Sequence, residues 1–383
     1  MDRFAGDGTN RNDRPAFTYY SEMGVKSAGT LNDAPEGFYV YEIATGNGLF
    51  DSFDYIQEQI ESSVNDLRDL VIERLFGTTS AYYSIIQVFP IGLIEGGLDS
   101  EVSFDKDSFN SFISCFSFEE AYRLVYLQDI NFLIDSFVET HERAISSLRT
   151  ALFLLADINP IRCEPNKVYI VSSPDTHSMM REVESFVIRL YSSLDILSRL
   201  LCELQSVPDT FGSFRKIPSD KSALYSRYRK RSPYADDKDL IFYDFSEAAY
   251  LEDLRNEVIH NRVFESAAKC YVRLEGAVIK ERFFLLPDSD SSGRIAKRNG
   301  RSRFYSQEKK GNQYLPQLYL EISARMVKTL RRAARDLSDE IKERRADGRL
   351  QEIDPRKIED ISSRTLSAIQ SIVEMAQDGK NND

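Results

Sequence analysis

The spacing of apolar residues along most of the chain is helical. In residues 53–75, Ile56, Ile60, Val64, Leu67 and Val71 recur at steps of three and four, the period that puts side chains on one face of an α-helix. Similar stripes predict helices over residues 53–75, 118–156 (as a pair), 174–204, 244–263, 315–345 and from Pro355 onward. We therefore expect a mainly α fold.

Two of these helices also carry start signals. Ser173-Pro174 offers a capping hydroxyl followed by proline at the first helical position. Asp244 with Glu247 three residues later has the pattern of a capping box. The second signal predicts that a helix opens at residue 244.

Shorter stretches are rich in β-branched and aromatic residues, which is typical of strands. Residues 38–43, 167–171 and 269–286 predict strands, the last interrupted at Gly276. Residues 80–104 mix such residues with Pro90 and a Gly-Gly pair, which favours strands or irregular structure over helix.

Composition divides the chain into three parts. Residues 1–36 are rich in Gly, Asn, Asp and Pro and are expected to form a mobile N-terminal arm. Residues 37–160 predict an α-rich N-terminal domain with some β structure, and no motif there indicates a role. Residues 161–383 predict a helical domain with a β-hairpin and basic-loop insertion over about 269–312, followed by C-terminal helices.

Charge and cysteine content narrow the class of protein. The chain of 383 residues has a net charge of -12, which argues against sequence-blind coating of nucleic acid. Its four cysteines lie far apart, without a Cys-x-x-Cys pair, so we expect no metal site and no cofactor. The most apolar run, residues 82–98, contains Gln87, Pro90 and Glu95 and falls short of a membrane span. A soluble cytoplasmic protein is expected.

Two basic stretches contrast with this acidic background. Residues 215–231 and 294–310 each hold seven Lys or Arg residues and a single acid. In the first, cations alternate with tyrosines, a composition that holds single-stranded RNA through phosphate pairing and base stacking; such runs are also commonly only solvated. The candidate RNA-binding residues are Arg227, Tyr228, Arg229, Lys230, Arg231, Lys297, Arg298, Arg301 and Arg303.

Residues 255–260, Arg-Asn-Glu-Val-Ile-His, carry the strongest candidate chemistry. Four residues apart on a helix, Asn256 and His260 share a face, so the amide is expected to orient the imidazole. Arg255 is displaced around the helix, but its long side chain reaches back toward His260. RNA supplies its own nucleophile, the 2′-hydroxyl. A histidine to move protons and an arginine to hold phosphate therefore suffice for cleavage without a metal.

Three other polar residues have weaker claims to function. Asp195 breaks the apolar face of the 174–204 helix and either orients Arg255 across the bundle or points to solvent. His141 lacks the second histidine of a zinc-protease helix, and His177 lies near a helix start. Both histidines are expected to be ordinary surface or packing residues.

The 255–260 run resembles the Arg-x(4 to 6)-His motif of the HEPN superfamily, in its common form with a polar residue after the arginine. The surroundings are similar too, with a long helix, a basic connection and a second helix carrying the motif near its end. The resemblance covers roughly residues 165–265. It assigns Arg255, Asn256 and His260 as motif residues. A tyrosine that one toxin branch carries two residues after the histidine is replaced here by Arg262.

The resemblance implies a HEPN-like helical bundle and a metal-independent endoribonuclease whose two motif copies form one composite site across a homodimer. It also implies a toxin or antiphage (abortive infection) effector, with RNA as substrate and a cognate antitoxin or regulatory protein as a further partner. A non-catalytic HEPN-like module that binds RNA or protein is the alternative. A purely helical assembly protein is the third reading.

Overall fold

The computed structural model describes residues 18–21, 24–27, 49–90, 106–116, 118–161, 164–215, 217, 221–261, 267–350 and 355–380. The strand predicted for residues 38–43 lies outside these ranges, as does most of the predicted arm. Within that arm, β1 (Thr18–Ser21) pairs antiparallel with β2 (Gly24–Ser27). The described chain is mainly helical, as predicted.

The helices follow the apolar stripes closely. They are α1 (Leu49–Phe76), α2 (Thr79–Ile86), α3 (Lys106–Cys115), α4 (Glu119–Asp157), α5 (Pro174–Leu204), α6 (Tyr225–Tyr228), α7 (Ser246–Asn256), α8 (Gly311–Ala346) and α9 (Pro355–Lys380). The start of α5 is confirmed in detail, because the Ser173 hydroxyl accepts the Thr176 backbone N–H at 3.2 Å.

Three predictions about helices were wrong. Residues 119–157 form one continuous helix rather than a pair. Residues 79–86 are helical rather than extended, because the Thr78 hydroxyl accepts the Ala81 N–H at 3.1 Å and caps α2. The helix predicted from Asp244 begins at Ser246 with Phe245 as its N-cap, so the capping box does not form.

The described chain divides into two compact units, each built from three separate stretches. Unit 1 comprises Met1–Ile60, Val138–Leu194 and Tyr234–Val327, and unit 2 comprises Glu61–Phe137, Asp195–Pro233 and Lys328–Asp383. The units interleave along the chain.

Unit 1 contains a three-stranded antiparallel sheet. β3 (Val168–Val171), β4 (Cys270–Glu275) and β5 (Val278–Phe283) pair in that order, and Gly276, with a φ of 61°, makes the turn between the last two. This confirms the strands predicted over residues 167–171 and 269–286.

The helical part of unit 1 packs around the Tyr319 ring. The ring contacts Phe53 edge-on at 5.1 Å and lies 5.2 Å from the imidazole of His141. His141 is completely buried, with ring nitrogens 2.8 Å from Gln57 Oε1 and 2.8 Å from the Ser323 hydroxyl. Of the surface and packing roles expected for His141, the structure shows packing in the core.

Unit 2 has a polar group at the centre of its core. The Tyr126 hydroxyl donates to the Glu203 carboxylate at 2.9 Å, and Arg215 Nε donates to the same oxygen at 2.7 Å. Burial, together with the nearby Glu203 charge, raises the pKa of Asp129 to about 6. Ionisation of Asp129 is therefore disfavoured in the folded unit.

Among the described residues, every helix is too short or too polar to cross a lipid bilayer. Among the described residues, Cys115, Cys202 and Cys270 form no disulfide bond, and Cys163 lies outside the described ranges. Within the same ranges, no group of three or more His, Cys, Asp and Glu side chains is placed to hold a metal ion.

Candidate functional site

The 255–260 motif spans a change of helix type in unit 1. α7 ends at Asn256 and continues as a π-helical turn over Glu257–Asn261. The sequence predicted an α-helix as far as residue 263. Residues 262–266, including Arg262, lie outside the described residues. A π turn is widened by its i to i+5 hydrogen bonds, and such turns recur at functional sites.

The wider turn changes which side chains meet. Arg255 and His260, five residues apart, face each other with Nη1 of the guanidinium 3.3 Å from Nε2 of the imidazole. Asn256 Oδ1 accepts from the same Nη1 at 3.0 Å. The expectation that Asn256 orients His260 directly is corrected, because the amide holds Arg255, and Arg255 contacts the imidazole.

In this contact the guanidinium is the donor and His260 Nε2 is the acceptor. A guanidinium only donates hydrogen bonds, so the Nε2 atom that faces it must present its lone pair. His260 is exposed, whereas Arg255 and Asn256 are half-buried. The site thus places an exposed imidazole next to a guanidinium.

Tyr191, on α5, forms the floor beneath the arginine. The Arg255 Cζ lies 5.4 Å from the centre of the Tyr191 ring, within cation–π distance. Tyr191 is only 5 % exposed, and its hydroxyl lies 3.5 Å from Glu252 Oε1. Sequence reasoning missed this residue, although a tyrosine beside the apolar stripe of α5 was a visible signal.

Arg294 ties the second basic stretch to α7. Its guanidinium donates to Asp253 at 2.8 Å and to Glu252 at 2.9 Å. The next residue, Ile295, donates its backbone N–H to the other Asp253 oxygen at 3.0 Å. The charge of Arg294 is therefore neutralised, and this residue anchors the stretch.

Beyond this anchor the basic stretch forms a tight turn. Arg298 and Arg301 exchange backbone hydrogen bonds of 2.9 and 3.0 Å across Asn299 and Gly300, which have φ values of 52° and 74°. Two successive residues with positive φ are the signature of a type I′ hairpin turn. Arg298 and Arg301 are exposed at its tip.

Lys297 connects this turn to the motif. Its Nζ lies 3.8 Å from Glu257 Oε1, on the π turn itself. Lys297 is exposed and Arg303 is half-buried. Four of the predicted RNA-binding residues, Lys297, Arg298, Arg301 and Arg303, thus lie on a segment that is attached to the motif helix within the same unit.

The described residues 221–231 of the first basic stretch are folded in unit 2. It includes the short helix α6, and Tyr228 is only 2 % exposed, with the Arg231 guanidinium 5.8 Å from its ring centre. The predicted stacking of Tyr228 on RNA bases is corrected, because the ring is in the core. Arg227, Lys230 and Arg231 are exposed, and Arg229 is half-buried.

Asp195 has a structural contact in unit 2. Its Oδ1 accepts the backbone N–H of Tyr225, the first residue of α6, at 2.9 Å. Such a bond satisfies one of the donors that a helix start leaves unpaired. Asn256 and Tyr191 are the residues with described contacts to Arg255 besides His260.

Comparison with protein-family models, with curated proteins and with solved structures finds no match to this chain. The function is therefore inferred from the geometry of Arg255, Asn256 and His260 and from the motif that these residues form.

Proposed function

We propose that this protein is a metal-independent endoribonuclease whose reaction centre is formed by Arg255, Asn256 and His260. The observation that carries the proposal is the 3.3 Å contact between the Arg255 guanidinium and the exposed His260 imidazole. The pair combines a phosphate-binding fork with a group that accepts and returns protons near neutrality.

The reaction would be an internal transesterification of RNA. His260 takes the proton of a ribose 2′-hydroxyl, and the 2′-oxygen attacks the adjacent phosphorus. The bond from phosphorus to the 5′-oxygen breaks, and that oxygen leaves with a proton from a general acid. The products are a 2′,3′-cyclic phosphate and a 5′-hydroxyl. Arg255 would stabilise the charge that develops on the phosphate oxygens.

The Arg255 contact also suggests how substrate prepares the base. In the free protein, Arg255 Nη1 occupies the lone pair of His260 Nε2. A bound phosphate competes with the imidazole for the guanidinium, and its charged oxygens are stronger acceptors than the imidazole nitrogen. Arrival of the phosphate would draw Arg255 away and free Nε2 for the 2′-hydroxyl. The Tyr191 ring would remain as the surface on which the guanidinium moves.

The exposed cations at Lys297, Arg298 and Arg301 would bind phosphates that flank the cleaved one. Their segment is attached to α7 through Arg294, so its position relative to His260 is fixed. This contact predicts that RNA affinity falls as salt rises.

The finer fold and the cellular role are part of the same proposal. α5 and α7 would be the core helix pair of a HEPN-like bundle, which the contact between Tyr191 and Arg255 supports. A homodimer would bring two copies of His260 together, one as base and one as acid. A toxin or antiphage effector acting in the cytoplasm, restrained by an antitoxin or regulatory protein, fits such an activity.

The decisive experiment incubates the purified full chain with a mixed RNA pool in EDTA. Wild-type protein should cleave, leaving cyclic phosphate ends. His260→Ala should reduce the rate by roughly a hundredfold to ten-thousandfold, the usual contribution of a general acid or base. Because His260 is exposed, this substitution leaves the core intact.

His177→Ala is the matched control, since it removes the other histidine that is partly accessible. It should cleave like wild type. Equal cleavage by wild type and His260→Ala would refute the proposal. RNA binding without any cleavage would favour the non-catalytic module, and sedimentation of a monomer at concentrations that support cleavage would refute the composite site.

A further inference from the structure

Unit 2 contains a polar cavity that is separate from the motif. Its volume is about 510 Å³, within the range of roughly 300–1,000 Å³ usual for small-molecule sites. Its wall is formed by five parts of the chain: the end of α1, the start of α4, the 208–211 connection, the end of α8 with the turn that follows it, and the start of α9. Every lining residue belongs to unit 2.

The charge of the wall is opposite to that of the whole protein. Five cationic side chains and three acidic ones line the cavity, in a chain whose net charge is -12. The cations are Arg74, Arg123, Arg344, Arg349 and Lys357. A concentration of guanidinium groups in a concave site is the arrangement that binds phosphate.

The inner part of the wall is rigidly built. Arg74 is only 4 % exposed and donates to Asp209 at 2.7 Å and to Glu340 at 3.0 Å. Arg344 pairs with the same two carboxylates. Two guanidinium groups thus share two acids and are held in fixed orientations. Their pairing leaves Nη1 of Arg74 and Nη2 of Arg344 without an acceptor among the described residues.

The outer part of the wall offers further donors. Arg349 uses Nε and Nη2 on Asp347, which leaves its Nη1 without an acceptor in the described ranges. Lys357 is exposed and, within the same ranges, has no ion-pair partner. α4 and α9 also begin at the cavity, and helix starts carry partial positive charge.

From this wall we infer that the unit 2 cavity binds a small molecule that carries a di- or triphosphate group. The spare donors of Arg74 and Arg344 contact the inner phosphate oxygens, and Arg349 and Lys357 contact the outer ones. Spare donors lie on both the buried and the exposed parts of the wall, an arrangement that favours a ligand with several phosphate groups. This site is independent of the proposed nuclease.

Isothermal titration calorimetry of the full chain tests the inference, with tripolyphosphate, ATP and adenosine as probes. Tripolyphosphate and ATP should bind saturably, and adenosine should not. Lys357→Glu should weaken both phosphate ligands by at least about tenfold, the factor that one lost charge-assisted contact corresponds to. Lys357 has no described partner, so the variant should keep the circular dichroism spectrum and melting temperature of wild type.

Lys342→Glu is the matched control, because Lys342 is highly exposed on α8 in the same unit and does not line the cavity. Its affinities should stay within about twofold of wild type. The inference fails if neither phosphate ligand binds, if adenosine binds as tightly as ATP, or if Lys357→Glu binds like wild type. It also fails if Lys342→Glu loses as much affinity as Lys357→Glu, since the effect would then be unspecific.

Discussion

Acidification should destabilise this protein through one buried histidine. His141 is completely buried, and burial lowers its pKa from 6.5 to about 3. A neutral imidazole satisfies both of its contacts, because Nδ1–H donates to Gln57 Oε1 and Nε2 accepts from the Ser323 hydroxyl. Burial lowers the pKa of His141 because a charged imidazolium would lose its hydration in the core.

Proton linkage gives the direction and the magnitude of this loss of folding stability. The unfolded chain takes up a proton on His141 as pH falls through 6.5, and the folded chain does not until about pH 3. Stability contributed by the neutral imidazole is therefore present above pH 6.5 and is lost on the way down to pH 3. Each pH unit below 6.5 costs about 1.4 kcal/mol, so the loss between pH 7 and pH 5 is about 2 kcal/mol.

Urea unfolding of wild type and His141→Gln, followed by circular dichroism at several pH values, isolates this effect. Glutamine keeps a neutral polar side chain but does not titrate. Groups common to both proteins cancel in the difference, including the carboxylates. The stability of wild type relative to the variant should fall by about 2 kcal/mol from pH 7 to pH 5. A difference that stays constant over this range would refute the assignment of a neutral, inaccessible His141.

Two further predictions concern single positions. Gly293→Ala should destabilise unit 1 by more than the roughly 1–2 kcal/mol of an unfavourable positive φ, because a Cβ there would lie 2.4 Å from the Ser246 carbonyl oxygen. Gly300→Ala, with a φ of 74° and open space around it, should show only the backbone cost in the same urea titration. Asp129→Asn should stabilise the protein at pH 8 and have little effect at pH 4. Burial raises the pKa of Asp129 to about 6. The stability that the protonated carboxyl contributes is therefore lost as pH rises through 6, and an uncharged amide avoids this loss. A destabilised Asp129→Asn at pH 8 would contradict this.

The helices could be predicted where burial follows the helical period. α5 is the clearest case, since its capping serine, its first-turn proline and its apolar stripe all agreed. α2 could not be predicted in this way, because its Tyr and Ile residues are also typical of strands. The capping hydroxyl of Thr78 was the signal that indicated a helix there. The two interleaved units depend on contacts between distant stretches, which local periodicity does not report.

Tyr228 was wrongly predicted to stack on RNA bases, because only the composition of its stretch was considered. The alternation of tyrosines with cations indicated an RNA-binding surface. Tyr225 and Tyr228 are three residues apart, however, which places both rings on one face of a short helix, and that face is buried. Helical spacing of the aromatic residues was the signal that distinguishes a core position from a stacking platform.

The π turn decides whether the motif forms a site. On a regular α-helix each residue turns by about 100°, so residues five apart point roughly 140° away from each other. Arg255 and His260 would then diverge, and only the pair of Asn256 and His260 would share a face. The π turn over Glu257–Asn261 removes that divergence and brings the guanidinium to the imidazole. The departure from α-helical geometry thus lies at the residues to which the chemistry is assigned in our proposal.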